Sequence, residues 1–179
     1  MAVPIGTKAP DFDLPGVDGK QYSLGAFADK AAVAVLFWCN HCPYVVMYED
    51  RILALCQDYT DRGVALIAIN CNDPATNPGD SFENMKARAK ARGYSFPYVF
   101  DQSQQSGRDY GATRTPEVFL LDADGRIVYH GRIDDSADDA AAVQRHDLRE
   151  ALDEALAGKT VTVSETGPIG CGIKWTRGG

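Results

Sequence analysis

Phe37-Trp38-Cys39-Asn40-His41-Cys42-Pro43 is the stretch on which the fold turns. It follows an apolar run, Ala31 to Phe37, that reads as a buried strand, and it precedes a segment with helical periodicity. Two cysteines separated by two residues at such a junction form the arrangement of a redox dithiol. A sulfur placed there lies near the first turn of a helix, where unpaired N–H groups and the positive end of the dipole stabilise a thiolate. The expectation is that the first cysteine, Cys39, has a lowered pKa and attacks, and that Cys42 then displaces the mixed disulfide by exchange. Two other readings of the pair stay open: zinc ligands, or inert core thiols. A structural zinc site usually needs a second ligand pair at comparable spacing, whereas Cys56, Cys71 and Cys171 are scattered singly beside three histidines.

The chain has 179 residues, 45% hydrophobic and 24% charged, with no repeat and no low-complexity stretch, which suits one domain over 1–179 with a substantial core. Net charge is −7 and no Lys/Arg-rich segment occurs, so neither nucleic acid nor an anionic membrane is an expected partner. The opening Met1-Ala-Val-Pro-Ile-Gly-Thr7 lacks the basic and apolar regions of a secretory signal, and no run approaches transmembrane length. The cytoplasm is therefore the expected compartment. Thiols there are kept reduced, so five cysteines do not imply a structural disulfide framework. Dithiol exchange calls for no bound cofactor and no metal, only an external redox partner.

Outward from the dithiol, residues 9–24 alternate short apolar stretches with turn signals, and Asp18-Gly19 predicts a small hairpin within an N-terminal extension over 1–28. From Pro43 to Tyr59 apolar residues recur at 45, 48, 52, 55/56 and 59, the spacing of one buried helix face on which Cys56 would pack. Val64 to Ile69 is a second continuous apolar run, read as a central strand covered on both faces. A loop at 70–74, a helix over 81–92, a strand at 98–100 and a short helix over 103–110 follow. Glu117–Leu121 and Ile127–Tyr129 form a hairpin around Asp122-Ala-Asp-Gly125. The last helix is predicted from about Asp139 to Ala157, with the acidic run 134–139 as a solvated loop capping it. The element order predicts an α/β layered domain with a mixed central sheet flanked by helices. Residues 158–179 show no helical period, yet Ile169, Ile173 and Trp175 favour a docked irregular tail.

Around the dithiol, Thr115-Pro116 precedes a clear strand, where proline belongs at the first position and a cis peptide is accommodated as readily as a trans one. His41 lies inside the four-residue loop and, protonated, would add positive charge near Cys39 and tune its potential. Trp38 should flank the sulfur. Glu117 is either a proton shuttle with a raised pKa or, more simply, a strand-end carboxylate bonded to backbone. Arg114 either neutralises it, binds an acidic substrate group or sits exposed. His130 and His146 show no partner pattern and read as surface or strand-end residues. Cys171, between two glycines, is either a third redox thiol or a thiol buried under the tail.

Taken together, the dithiol, the Thr-Pro strand and the element order resemble the thioredoxin superfamily. Ala9-Pro-Asp-Phe-Asp-Leu-Pro-Gly16, Cys39-Asn-His-Cys-Pro-Tyr-Val45, Arg114-Thr-Pro-Glu-Val-Phe-Leu120, Tyr129-His-Gly-Arg-Ile133 and Gly170-Cys-Gly-Ile-Lys-Trp175 resemble its peroxiredoxin-like branch, related to alkyl hydroperoxide reductase and thiol-specific antioxidant proteins. The resemblance implies a thioredoxin-like fold, Cys39 as nucleophile, Cys42 as resolving thiol and a cis Pro116. It also implies that the Thr115 backbone pairs with a bound substrate as an added strand. Two departures bear on activity. Peroxiredoxins carry Thr or Ser three residues before the peroxidatic cysteine, where this chain has Leu36. Thioredoxins carry a buried Asp six residues before the first cysteine, where this chain has Val33. The leading expectation is thus a thiol–disulfide oxidoreductase acting on disulfide- or thiol-containing proteins or small molecules. A thiol peroxidase at Cys39, resolved by Cys42 or Cys171, is the second. A metal-binding protein using Cys39, Cys42 and His41 is the third.

Overall fold

The computed structural model describes residues 1–178; Gly179, the last residue of the expected tail, lies outside the described residues. The chain opens with an antiparallel hairpin of β1 (Asp13–Pro15) and β2 (Gln21–Ser23). Its turn works as expected: Gly19 takes the positive φ of 82°, and the Asp18 carboxylate accepts from the Lys20 amide at 3.0 Å. There follow β3 (Ala32–Phe37), α1 (Pro43–Thr60), β4 (Val64–Asn70), α2 (Phe82–Arg92), β5 (Tyr98–Phe100) and α3 (Gln105–Tyr110). A two-residue strand β6 (Arg114–Thr115) leads into the hairpin β7 (Glu117–Asp122) and β8 (Ile127–Gly131), then α4 (Asp147–Leu156) and a short β9 (Cys171–Gly172).

The central sheet has five strands in the order β5-β4-β3-β7-β8. β3 is parallel to β4 and β4 to β5, while β7 is antiparallel to both β3 and β8. Early parallel crossovers and a late antiparallel hairpin make the sheet mixed, as the element order predicts. Every residue of β3 is buried because both faces are covered. Ala32, Ala34 and Leu36 point to the face packed by α1 and α4, and Val33, Val35 and Phe37 to the opposite face, which holds Tyr110, Phe12 and Ile173.

Helix α1 buries Val45, Tyr48, Ile52, Leu55 and Tyr59, the stripe read from the spacing. That stripe also contains Glu49, which is buried because Arg88 holds its carboxylate at 2.7 and 3.0 Å and Arg92 at 2.5 Å. Cys56 is half-buried at the edge of the core.

One helix boundary and one loop differ from the sequence reading. Helix α4 begins at Asp147 rather than near Asp139, with only a 3₁₀ turn at Ala140–Ala142 before it. The preceding loop claims the backbone between them: Asp135 accepts from the Gln144 amide at 3.0 Å and its own amide donates to the Arg145 carbonyl. The acidic run is likewise less solvated than expected. Asp134 is buried and paired with Arg51 at 2.7 Å, while Asp139 caps the 3₁₀ turn.

The tail docks along β8, where the His130 amide donates to the Ser164 carbonyl and the Thr166 amide to the His130 carbonyl. Gly131, at φ 146°, leaves room there for Thr166 that any Cβ would fill. Among the described residues no helix is long and apolar enough to cross a membrane.

Truncating the fully buried Ile52 to alanine should cost about 2–5 kcal/mol in urea denaturation of the reduced protein. A cost below about 1 kcal/mol would mean that α1 does not seat this stripe on the sheet.

Candidate active site

Because β3 ends at Phe37 and α1 begins at Pro43, the dithiol lies on the connection between them. Proline suits the first helical position, where an amide would go unpaired, and it makes Cys42 the N-cap. The loop is pinned by a polar cluster that the sequence reading passed over. Asp80, with no exposed surface, accepts from the Asn40 amide at 2.8 Å and from Asn72 Nδ2 at 2.8 Å. The Asn40 side chain bridges the Gly79 carbonyl and the Tyr98 hydroxyl. An Asp in an Asn-Pro-Gly-Asp turn reads as solvated loop, so nothing in the pattern marked it.

The opposite wall follows from strand register. Phe37 pairs with Glu117 across the antiparallel β3–β7 ladder, so extending the ladder sets Cys39 across from Thr115. The Cys39 sulfur lies 3.3 Å from the Thr115 hydroxyl, and the Cys42 thiol can donate to the Thr115 carbonyl at 3.4 Å. The Thr115–Pro116 peptide is cis. Trp38 is fully buried and donates its ring N–H to the Tyr94 hydroxyl at 3.1 Å.

Cys39 and Cys42 are both buried and titrate as a coupled pair, so one negative charge is shared between them. The contact between the two sulfurs is the largest influence on each, and burial of both opposes the charge. The Asp80 carboxylate also opposes it on Cys39, while the Thr115 hydroxyl and the Cys42 amide favour it there and the Val45 amide favours it on Cys42.

His41 does not turn toward the sulfurs. Its Nε2 lies 2.6 Å from Asn77 Nδ2 and its Nδ1 3.5 Å from Asp80. Glu117 is buried, but the conditions for a shuttle with a raised pKa are not met. Burial would raise its pKa, yet hydrogen bonds from His130 and from the amides of Thr113 and Arg114 outweigh that and hold it below the usual carboxylate value. The backbone-bonded reading of Glu117 is the one found. His130 is the correction: rather than an unpartnered strand-end residue, it contacts Glu117 at 2.6 Å and stacks on Phe119. The pair spans two strands, so no local spacing could show it. Arg114 is exposed, and its guanidinium donates to the Gly170 carbonyl.

That contact leads to the tail. β9 pairs antiparallel with β6, Cys171 opposite Thr115 and Gly172 opposite Arg114. The backbone edge expected to receive a substrate strand thus carries the protein's own residues 171–172, and the half-buried Cys171 lies opposite Thr115, whose carbonyl is 3.4 Å from the Cys42 sulfur. Among the described residues no group of three or more His, Cys, Asp or Glu is arranged to hold a metal ion.

The Redoxin family profile matches residues 4–152. The thiol-disulfide oxidoreductase ResA of Geobacillus thermodenitrificans is 28% identical over 128 residues, covering 70% of this chain and 68% of that one. The crystal structure of a hypothetical protein from Sinorhizobium meliloti 1021 superimposes with a TM-score of 0.93 at 41% identity, covering 99% of this chain and 98% of that one. The thioredoxin domain of a thiol-disulfide oxidoreductase from Bacteroides vulgatus superimposes with a TM-score of 0.63 at 20% identity, covering 72% and 89%. The fold is thioredoxin-like, and the chain belongs to the Redoxin family.

Proposed function

We propose that this chain is a thiol–disulfide oxidoreductase working through the Cys39/Cys42 dithiol. The observation that carries the reading is the shared thiolate at the N-terminus of α1, beside Thr115 and the cis Pro116. The ResA similarity supports it. The Cys39 thiolate attacks one sulfur of a substrate disulfide, forming a mixed disulfide and releasing the first substrate thiolate. Cys42 then gives up its proton and attacks Cys39, closing the Cys39–Cys42 disulfide and releasing the second. Two electrons pass to the substrate, and an external thiol partner restores the dithiol. Run backwards, the same steps oxidise a dithiol. No bound cofactor enters the scheme. Substrates are disulfide- or thiol-containing proteins or small molecules, and one that pairs with Thr115 beside Pro116 displaces residues 171–172 from the β6 edge.

In this scheme Trp38, His41 and Glu117 are supporting residues. Trp38 backs the loop. His41 acts through Asp80, whose charge opposes ionisation of Cys39. Glu117 holds the Thr113–Arg114 amides and so the geometry of the Thr115 loop. Peroxidase chemistry at Cys39 is the weaker reading, because Leu36 is a core residue without a hydroxyl. The cytoplasm remains the proposed compartment.

Reduced protein mixed with oxidised glutathione should lose two alkylatable thiols reversibly, while hydrogen peroxide reacts no faster than with an ordinary thiol. Stopped-flow tryptophan fluorescence and thiol alkylation read both. Fast peroxide oxidation without glutathione exchange would replace this reading with the peroxidase one.

The first ionisation of the coupled dithiol lies below the unfolded thiol value of about 8.5. Its stabilising contribution to the reduced protein is therefore complete above that value and lost as pH falls through the folded one. Thiolate absorbance at 240 nm should persist at neutral pH and vanish on acidification. In Cys39→Ser and in Cys42→Ser the titration should move upward, since the partner sulfur is gone. A single wild-type midpoint near about 8.5 would show that no thiolate is stabilised.

A further inference from the structure

Both dithiol sulfurs are covered: Cys39 is 1% exposed and Cys42 5%. No disulfide can meet Cys39 until part of that cover moves. Three of the walls are fixed by the core or by buried polar groups. Helix α1 is seated by its apolar stripe, Asp80 holds the Asn40 amide, and Glu117 holds the Thr113 and Arg114 amides beside Thr115. The fourth wall is the tail.

The tail crosses the site between two anchors. Upstream, the Thr166 amide donates to the His130 carbonyl at 3.0 Å, and its hydroxyl accepts from the Arg132 amide at 3.0 Å. Downstream, the Ile173 amide donates to the Thr113 carbonyl at 3.0 Å, and the Lys174 amide to Asn72 Oδ1 at 2.8 Å. The Lys174 carbonyl accepts from the Asp73 amide and from Gln104 Nε2. Ile173 is buried, and Trp175 lies against Gly107 and under the Arg108 guanidinium.

Between the anchors runs Gly167-Pro-Ile-Gly-Cys-Gly172. It is held by the two-residue β6–β9 pair and by Arg114, which donates to the Gly170 carbonyl at 2.9 Å. Its half-buried Ile169 and Cys171 pack on the cluster that contains both dithiol sulfurs. Gly170 abuts Thr115 so closely that a Cβ would stand 2.3 Å from the Thr115 carbonyl oxygen. Gly167 and Gly172, at the two ends, are exposed, and a Cβ on either would touch nothing. Small residues at the ends of a segment are where a hinge takes up its backbone rotation.

We propose that residues 167–172 are a strap that gates the dithiol: it swings about its two ends, uncovering Cys39 and freeing the Thr115 backbone together, while both anchors stay docked. The inference rests on the dithiol reading above. Opening precedes attack, so the pair reacts in proportion to the fraction of molecules whose strap is open. Segments that move in this way are drawn from the least stable part of a fold, and a two-residue strand is such a part.

N-ethylmaleimide addition, mapped by peptide mass and compared at equal thiolate absorbance, reads how often the sulfurs are reachable. Gly170→Val overpacks the contact with Thr115 and should speed addition at Cys39 and Cys42 at least about tenfold over wild type. Arg114→Ala removes an exposed tie without a clash and should speed it about threefold. Cys71, wholly buried beside Gly107 where Trp175 also packs, should stay unreactive in both variants. Closure of the Cys39–Cys42 disulfide by oxidised glutathione should quicken in the same proportion. Rates no faster than wild type overturn the proposal, read from Arg114→Ala if Gly170→Val does not fold. Cys71 reacting in step with the dithiol also overturns it, since the fold would then be opening as a whole. Wild-type protein charged with oxidised glutathione separates the two failures. A Cys39–Cys42 disulfide there, with unchanged alkylation in the variants, sinks only the gate. No Cys39–Cys42 disulfide in any of the three proteins sinks the dithiol reading and the gate with it.

Discussion

Strand β3 is paired along its whole length on both sides, parallel to β4 and antiparallel to β7. Its six side chains alternate between two covered faces, and a shift of one residue would exchange them. The register is therefore held by the core, and the site inherits it. Phe37 opposite Glu117 carries Cys39 to Thr115, and the parallel β4 ends beside the Asn70–Asn72 turn that binds Asp80. Chemistry at the sulfurs depends on geometry that packing, rather than the sulfurs themselves, maintains.

The electrostatics follow from which atoms remain free. Pro43 supplies no amide, so the donors left to the sulfurs are the Cys42 amide for Cys39, the Tyr44 amide for Cys171 and the Val45 amide for Cys42. Asp80 answers the amides of the loop but sets a negative charge near Cys39. The same carboxylate that orders the loop thus helps decide which sulfur ionises. A thiolate held by thiols and amides changes whenever one of those thiols is oxidised, so the charge and the redox state of this site move together.

The fold was legible because it is written in continuous apolar runs and a three-four helical stripe, both of which survive without tertiary information. Ala32–Phe37, Val64–Asn70 and the face of α1 are such cases. The Cys-x-x-Cys spacing and the Thr-Pro step were equally visible. What escaped depends on contacts across the sheet or between loops. The Glu117–His130 contact joins two strands, Asp80 is buried by neighbours from three segments, and α4 is shortened by hydrogen bonds to the 134–136 loop.

The attachment of the tail has a consequence for the order in which the molecule assembles. Arg114 meets Gly170 across 56 residues, and Asn72 meets Lys174 across 102. Contacts so distant along the chain form after the local ones, because their loop-closure entropy must be met first. A nascent chain can pair its first three parallel strands long before residue 171 has been synthesised. During that interval the dithiol exists without its cover, open to any passing thiol or disulfide. Docking of the last strand is then also the moment at which the newly made protein closes its reactive sulfurs against indiscriminate exchange.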